Sequence, residues 1–257
     1  MIIFKNKKIK FILLGILVLG FLFFLTGSLF AVPLPETFSI EPNNFFKPIN
    51  FSSSINLLIS LSAISLVPFF LISTTSFLRI VIVLSMLRNA IGTQQSPPNV
   101  VIISLALFMT VFIMSPVWKE VDRIAIKPYQ EKKISQSVAI QQGLLPLRTF
   151  MLKFTREKDL ALFLEFAGMK RIKKITEIPT TVIIPAFIIS ELKTAFQIGF
   201  LLFIPFVVID LIVSNVLLSL GMFMLSPVMV SLPFKILLFV VTDGWNLITK
   251  GLILSFQ

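Results

Sequence analysis

The 257-residue chain contains no cysteine and no histidine. Thiol nucleophiles, Cys or His metal sites, imidazole acid–base chemistry and disulfides are excluded with them. The missing cysteine does not point to a compartment, because such a chain fits oxidising and reducing surroundings alike. Charged residues make up only 14% of the chain, and no G-x-x-x-x-G-K-[ST] phosphate loop is present. Any work coupled to nucleotide hydrolysis must therefore be powered by another protein. The sequence offers no catalytic, cofactor-binding or metal-binding residues.

What is abundant is apolar. Hydrophobic residues account for 56% of the chain and mean hydropathy is +0.97, which rules out an ordinary soluble domain. The composition predicts an all-α, membrane-associated protein. Net charge is +11, unevenly placed. Four lysines fall in the first ten residues, and residues 118–178 carry thirteen Lys/Arg against seven Asp/Glu. That segment reads as a solvated amphipathic region rather than a nucleic-acid surface.

Along the chain, a basic start is followed by the 15-residue apolar run "FILLGILVLGFLFFL" and then by small residues at Thr26, Gly27, Ser28 and Ala31. This is the layout of a signal peptide over residues 1–31, with cleavage near Ser28 or Ala31; an uncleaved signal anchor is the other reading. Residues 32–54, with Pro33, Pro35 and Pro48, read as an exported linker. Residues 55–117 read as a first helical hairpin, broken at Pro68, at the polar "STTS" and at Arg79. Its turn is "TQQSPPN" and its second helix ends at Pro116. Residues 118–180 read as amphipathic helices outside lipid, with Leu160, Phe163, Leu164 and Ala167 on one face and an end at Gly168. Residues 181–257 read as a second hairpin, broken by Pro185 and Pro205, with a Met-rich loop over 222–233. The predicted fold is thus two long broken hairpins joined by an amphipathic segment. A cleaved signal peptide followed by four crossings places the net-positive 118–180 segment outside, against the positive-inside rule, which weakens for loops of about this length.

Six charges lie in the apolar segments: Arg79, Glu191, Lys193, Asp210, Lys235 and Asp243. A charge at the centre of a lipid-facing helix costs at least roughly 2.5–3.5 kcal/mol, so each is a candidate for a buried partner or a wet cavity. Glu191 and Lys193, two residues apart, point to different sides of a helix and cannot neutralise each other. Each must find a partner on another helix or another chain. Three environments fit: a proton or ion relay through Glu191 and Asp210, an assembly interface, or snorkelling near a helix end. Asp243 and Lys250 suit the last of these best. The loop "GMFMLSPVMVSLP" is apolar where a polar turn is expected. Its methionines are flexible enough to seal around varying shapes or simply to pack on a partner.

These motifs resemble a family. "PAFIISELKTAFQIGF" (185–200), "RNAIGTQQSPPN" (88–99), "IPFVVIDL" (204–211) and "PVMVSLPFKILLFVVTDGWNL" (227–247) are similar to the FliP/SctR family, the export-gate component of bacterial flagellar and type III secretion systems. The similarity covers roughly residues 55–256 and is weakest in 118–175. The signal peptide and "VTDGWNL" favour the flagellar branch over the injectisome. The resemblance implies a subunit, not an enzyme, of a pore that conducts unfolded proteins across the bacterial inner membrane. It implies about five copies assembled with FliQ-like and FliR-like subunits into a helical, conical pore, with other export-apparatus membrane proteins nearby and parts exposed on the periplasmic side. It further implies an ion pair between Glu191 of one subunit and Lys235 of its neighbour, and a pore gasket at Met222, Phe223 and Met224. Phe223 departs from the methionine usual there. Two other readings stand beside it: a small-solute or proton-coupled carrier using Glu191 and Asp210, and a passive scaffold for the basal body.

Overall fold

The computed structural model describes residues 59, 61–62, 65–93, 95–169 and 177–257. The expected signal peptide and exported linker lie outside them. By its contacts the chain divides into Met1–Leu61 and Ser62–Gln257, and the architecture of the second unit, in its described residues, is helical with no strand.

The first hairpin opens with α1 (Ser65–Thr74), which bends by 80° into α2 (Phe77–Ile91). The "STTS" run makes this bend. The hydroxyls of Ser73 and Thr74 donate back to the Phe70 carbonyl and that of Thr75 to Leu71, while Thr75 Oγ1 accepts the Phe77 N–H. Side-chain hydroxyls thus stand in for ladder bonds lost at the corner. At its other end α2 closes on Gly92, whose φ of 87° is the left-handed conformation glycine adopts without strain. Arg88 then reaches across the turn to the Pro97 carbonyl at 3.2 Å and Asn99 Oδ1 at 2.6 Å. This bracket gives the "RNAIGTQQSPPN" stretch a structural role: it fixes the angle at which α3 (Asn99–Val121) returns.

Pro116 does not end that helix. α3 runs through it, continues by a π-helical turn at Asp122–Ile126, and ends in α4 (Lys127–Gln130). The expected boundary at residue 117 therefore falls inside a continuous helical run. α5 (Gln136–Phe154) and α6 (Glu157–Phe166) follow. On α6, Leu160, Phe163 and Leu164 turn toward the core, whereas Ala167 lies past the helix end and is exposed. Gly168, at φ 72°, closes it.

The second hairpin has one uninterrupted arm. α7 (Thr180–Ser219) is 40 residues long and passes through Pro185 and Pro205. A proline deletes one ladder bond, and neighbouring helices hold the rest in line. α8 (Pro227–Val241) also contains Pro233 and starts on Pro227, a position where the missing N–H costs nothing. The loop expected over 222–233 is accordingly shorter. A 63° bend at Thr242–Asp243 leads into α9 (Gly244–Leu254). Both hairpins are broken, then, but the breaks sit at polar corners and not at prolines.

α7 is the spine, and α2 packs along it. Ile80, Val83 and Leu84 from α2 meet Ile183, Phe187 and Ala195 from α7, with Ala106 and Met114 from α3 and Met151 from α5 closing the core. Gly199 lets the two helices approach: a Cβ there would lie 2.3 Å from Met86 Sδ. The outer faces are bare. Only 11% of the most apolar α7 window is covered by the chain itself.

Candidate functional site

Two buried ionic clusters fix the helices, and one open tip is left over. The first cluster is centred on Arg79 and Glu191, which are 3% and 0% exposed. Arg79 Nε donates to Glu191 Oε2 at 2.8 Å and Nη2 donates to Oε1. This fork is the strong form of the pair. The remaining nitrogen, Nη1, donates to the Ser255 carbonyl at 3.0 Å and its hydroxyl at 3.1 Å. The guanidinium also lies 3.9 Å from the Phe256 ring centroid and 5.5 Å from that of Phe154. Arg79 thus ties α2 to α7, to α5 and to the residues after α9.

The second cluster joins α7 to α8. Lys235 Nζ donates to Asp210 Oδ2 at 2.6 Å, and Ser231 donates to Oδ1 at 2.5 Å. Lys235 also approaches the Ala90 carbonyl at 3.5 Å, where a cation suits the negative end of α2. Its side chain is 5% exposed, while that of Asp210 is 31% exposed.

Within one chain, therefore, Glu191 and Lys235 are not brought together. Glu191 takes Arg79 and Lys235 takes Asp210 inside the chain; the pairing expected between subunits concerns neighbouring copies. Arg79 joins the site as the partner of Glu191, the contact on another helix that the spacing of Glu191 and Lys193 demanded. Lys193 and Asp243 are exposed, not buried. The helical angle that turns Glu191 inward turns Lys193 out. Asp243 sits on the outside of the α8–α9 corner with φ 50°.

A third polar cluster escaped the sequence reading. The Arg156 backbone N–H donates to Ser190 Oγ at 3.0 Å, Ser190 donates to Asp159 Oδ2 at 2.7 Å, and Arg156 Nη2 donates to Thr194 Oγ1 at 3.1 Å and to Gln197 Oε1. It clasps α6 to α7. Its signal was the polar set Ser190, Thr194 and Gln197 at helical spacing inside an apolar run. The partners on Arg156 and Asp159 have no local pattern.

At the tip of the second hairpin, Gly221 (φ 75°) ends α7. Its N–H bonds the Leu218 carbonyl and that of Met222 bonds Leu217, a Schellman closure. The turn delivers Met222, Phe223 and Met224 into the open, at 47%, 76% and 99% exposure. Among the described residues, no group of three or more acidic side chains is placed to hold a metal ion. The carboxylates of Glu191 and Asp210 are held by cations, which argues against their use as stations for a moving proton.

Helices α3–α4 and α7 are long and apolar enough to cross a membrane, and each bent pair, α1–α2 and α8–α9, passes the same test taken together. Architecture and site define an all-helical membrane protein whose charges serve packing and not catalysis. The chain belongs to the FliP family, whose family model matches residues 60–252. It is 54% identical over 209 residues to the flagellar biosynthetic protein FliP of Bacillus subtilis, covering 81% of this chain and 95% of that one. It is 51% identical over 203 residues to the protein of the same name from Pectobacterium carotovorum, covering 79% of each. With that from Borreliella burgdorferi it shares 45% identity over 250 residues, 92% of this chain and 98% of the other.

Proposed function

We propose that this chain is a pore subunit of the flagellar protein-export gate, through which unfolded flagellar proteins cross the bacterial inner membrane. As a FliP-family chain it is a membrane component of the flagellar export apparatus, and it is not an enzyme. The finer reading, supported by the family resemblance, has about five copies enclosing a channel with FliQ-like and FliR-like subunits and other export-apparatus membrane proteins around them. On this reading residues 1–31 direct export of the segment that follows and are removed, leaving parts of the chain on the periplasmic side.

One observation carries the pore reading. Met222, Phe223 and Met224 are large, apolar and uncovered at the tip of a rigidly closed hairpin. Their own chain gives them little to pack on, so another surface must cover them. Copies arranged around an axis would bring these tips together as a soft plug, closed to ions and displaced by a passing chain. The bare outer faces of α3 and α7 fit the same assembly, as protein-covered surfaces.

The test replaces Met222, Phe223 and Met224 together with glycine in cells carrying the rest of the apparatus. A gasket predicts sodium or proton leakage across the inner membrane, measured as a fall in membrane potential, and disordered export. A scaffold predicts normal potential and normal flagella, and that result would sink the pore reading.

A further inference from the structure

Methionine carries all the sulfur of this cysteine-free chain, and the fold sorts it by access. Met109, Met114 and Met151 are core residues, 5%, 0% and 1% exposed, whereas Met222, Met224 and Met229 are 47%, 99% and 69% exposed. The three open ones fall within eight residues of sequence, at the tip of the second hairpin and in the first turn of α8. Away from the tip, Met86 is half-buried beside Gly199 and Met169 is 37% exposed just after α6.

Leucine at these positions would supply similar apolar bulk. What methionine adds is a nucleophilic thioether. Attack of its sulfur on hypochlorous acid breaks the O–Cl bond, releases chloride and a proton, and leaves a sulfur–oxygen bond. The sulfur loses two electrons and the chlorine gains them. The product is a polar, chiral sulfoxide where a flexible apolar side chain stood. The sulfur must meet the oxidant in solvent, so the core protects Met109, Met114 and Met151 and leaves the tip open. Phe223, between two of these sulfurs and 76% exposed, has no such chemistry and stays apolar.

We infer that Met222, Met224 and Met229 form a reversible oxidation site at which hypochlorous acid loosens the closed tip. The inference rests on the gasket reading and adds a chemical control to it. A plug made of such tips has a face on the channel lumen, where water and small oxidants arrive. The turn itself is held by the backbone bonds of Gly221 and Met222, which oxidation of a side chain does not touch, so the change is confined to the sealing surface. Sulfoxide oxygens buried without partners between apolar side chains are costly, and they draw water into a seal that was dry. Methionine sulfoxide reductases reverse the step, one enzyme for each epimer. Two electrons from their thiols and two protons remove the oxygen as water.

The experiment uses the full chain purified with its natural partner subunits. The complex is treated in detergent with limiting hypochlorite and quenched with free methionine. It is then digested for mass spectrometry or reconstituted in liposomes for ion flux. Sulfoxide is expected at Met222, Met224 and Met229 at least about tenfold faster than at Met109, Met114 and Met151, with ion flux raised at least about threefold. Both reductases with dithiothreitol, added before reconstitution, should return the flux to that of untreated complex. The chain with Met222→Leu, Met224→Leu and Met229→Leu, compared with its own untreated state, should lose the response, while Met169→Leu keeps it. Should the triple variant fail to assemble, Met224→Leu alone carries the test and should lose part of the response. Tip sulfurs no faster than the core ones, sulfoxide at the tip with unchanged flux, a flux that the reductases do not lower, or an undiminished response in the leucine chain each overturns the inference. The pore reading survives any of these if glycine at 222–224 still leaks. If glycine there leaves the flux unchanged as well, the gasket falls too.

Discussion

The guanidinium of Arg79 faces the ring of Phe256, 3.9 Å from its centroid, while gripping both oxygens of Glu191. One side chain thereby couples the start of the first hairpin to the end of the second, 176 residues away in sequence at Ser255.

Removing Arg79 strands a fully buried carboxylate. Arg79→Ala is expected to lower stability by about 3–5 kcal/mol, read as an earlier thermal transition of the detergent-solubilised chain. Arg79→Lys keeps the charge but loses the fork and should recover only part of the loss. Arg79→Ala with Glu191→Ala should cost clearly less than the sum of the two singles. Strict additivity would mean that the two side chains are not an energetic unit.

The second ion pair is more open, and its cost should be smaller. Asp210→Asn retains an acceptor for Ser231 but leaves Lys235 buried beside a neutral group; the expected loss is about 1–3 kcal/mol. Lys235→Met, which removes the buried cation and keeps the length of the side chain, should cost less than Lys235→Ala. Equal losses from Met and Ala, both of which lack the charge, would show that the charge and not the packing is decisive.

Close approach of α2 and α7 at Gly199 gives a steric test. Gly199→Val must displace Met86, and overpacking of this kind typically costs about 1–3 kcal/mol. Because the obstructing atoms are the end of a flexible side chain, Met86→Ala in the same chain should relieve most of it. If Met86→Ala gives no relief, the crowding arises elsewhere.

The clasp on α6 should act locally. Arg156→Ala removes the bonds of its side chain to Thr194 and Gln197, worth about 1–2 kcal/mol together, while the direct bonds of Arg79 to Glu191 stay in place. The expected result is faster hydrogen exchange through 157–166 with little change in the global melting temperature. A parallel fall in both would place α6 within the main cooperative unit.

How much of this was legible follows from range. The apolar runs, the "STTS" corner and Gly168 act within a few residues, and the chain bends or stops at each. That Glu191 needed a partner on another helix was readable from the two-residue spacing to Lys193. Which partner it takes was not: Arg79 lies 112 residues away, and no local pattern singles it out from the other cations. The prolines misled for a physical reason. Proline lowers helix propensity in an isolated segment, but inside packed helices one missing bond is a small loss beside those retained, so α3 and α7 run through Pro116, Pro185 and Pro205.

The length of α7 has a further consequence for the lipid around it. At about 1.5 Å per residue its 40 residues extend roughly 60 Å, about twice the hydrocarbon thickness of a bilayer, roughly 30 Å. To fit wholly within that layer the helix would have to tilt by about 60°, beyond the roughly 0–40° seen for spanning helices. Hydrophobic mismatch therefore cannot be relieved by tilt, and thinner or thicker bilayers would leave it unmatched alike. At the upper end of that range about a third of the helix still lies outside the hydrocarbon layer, so the surroundings of its ends are not those of the lipid core.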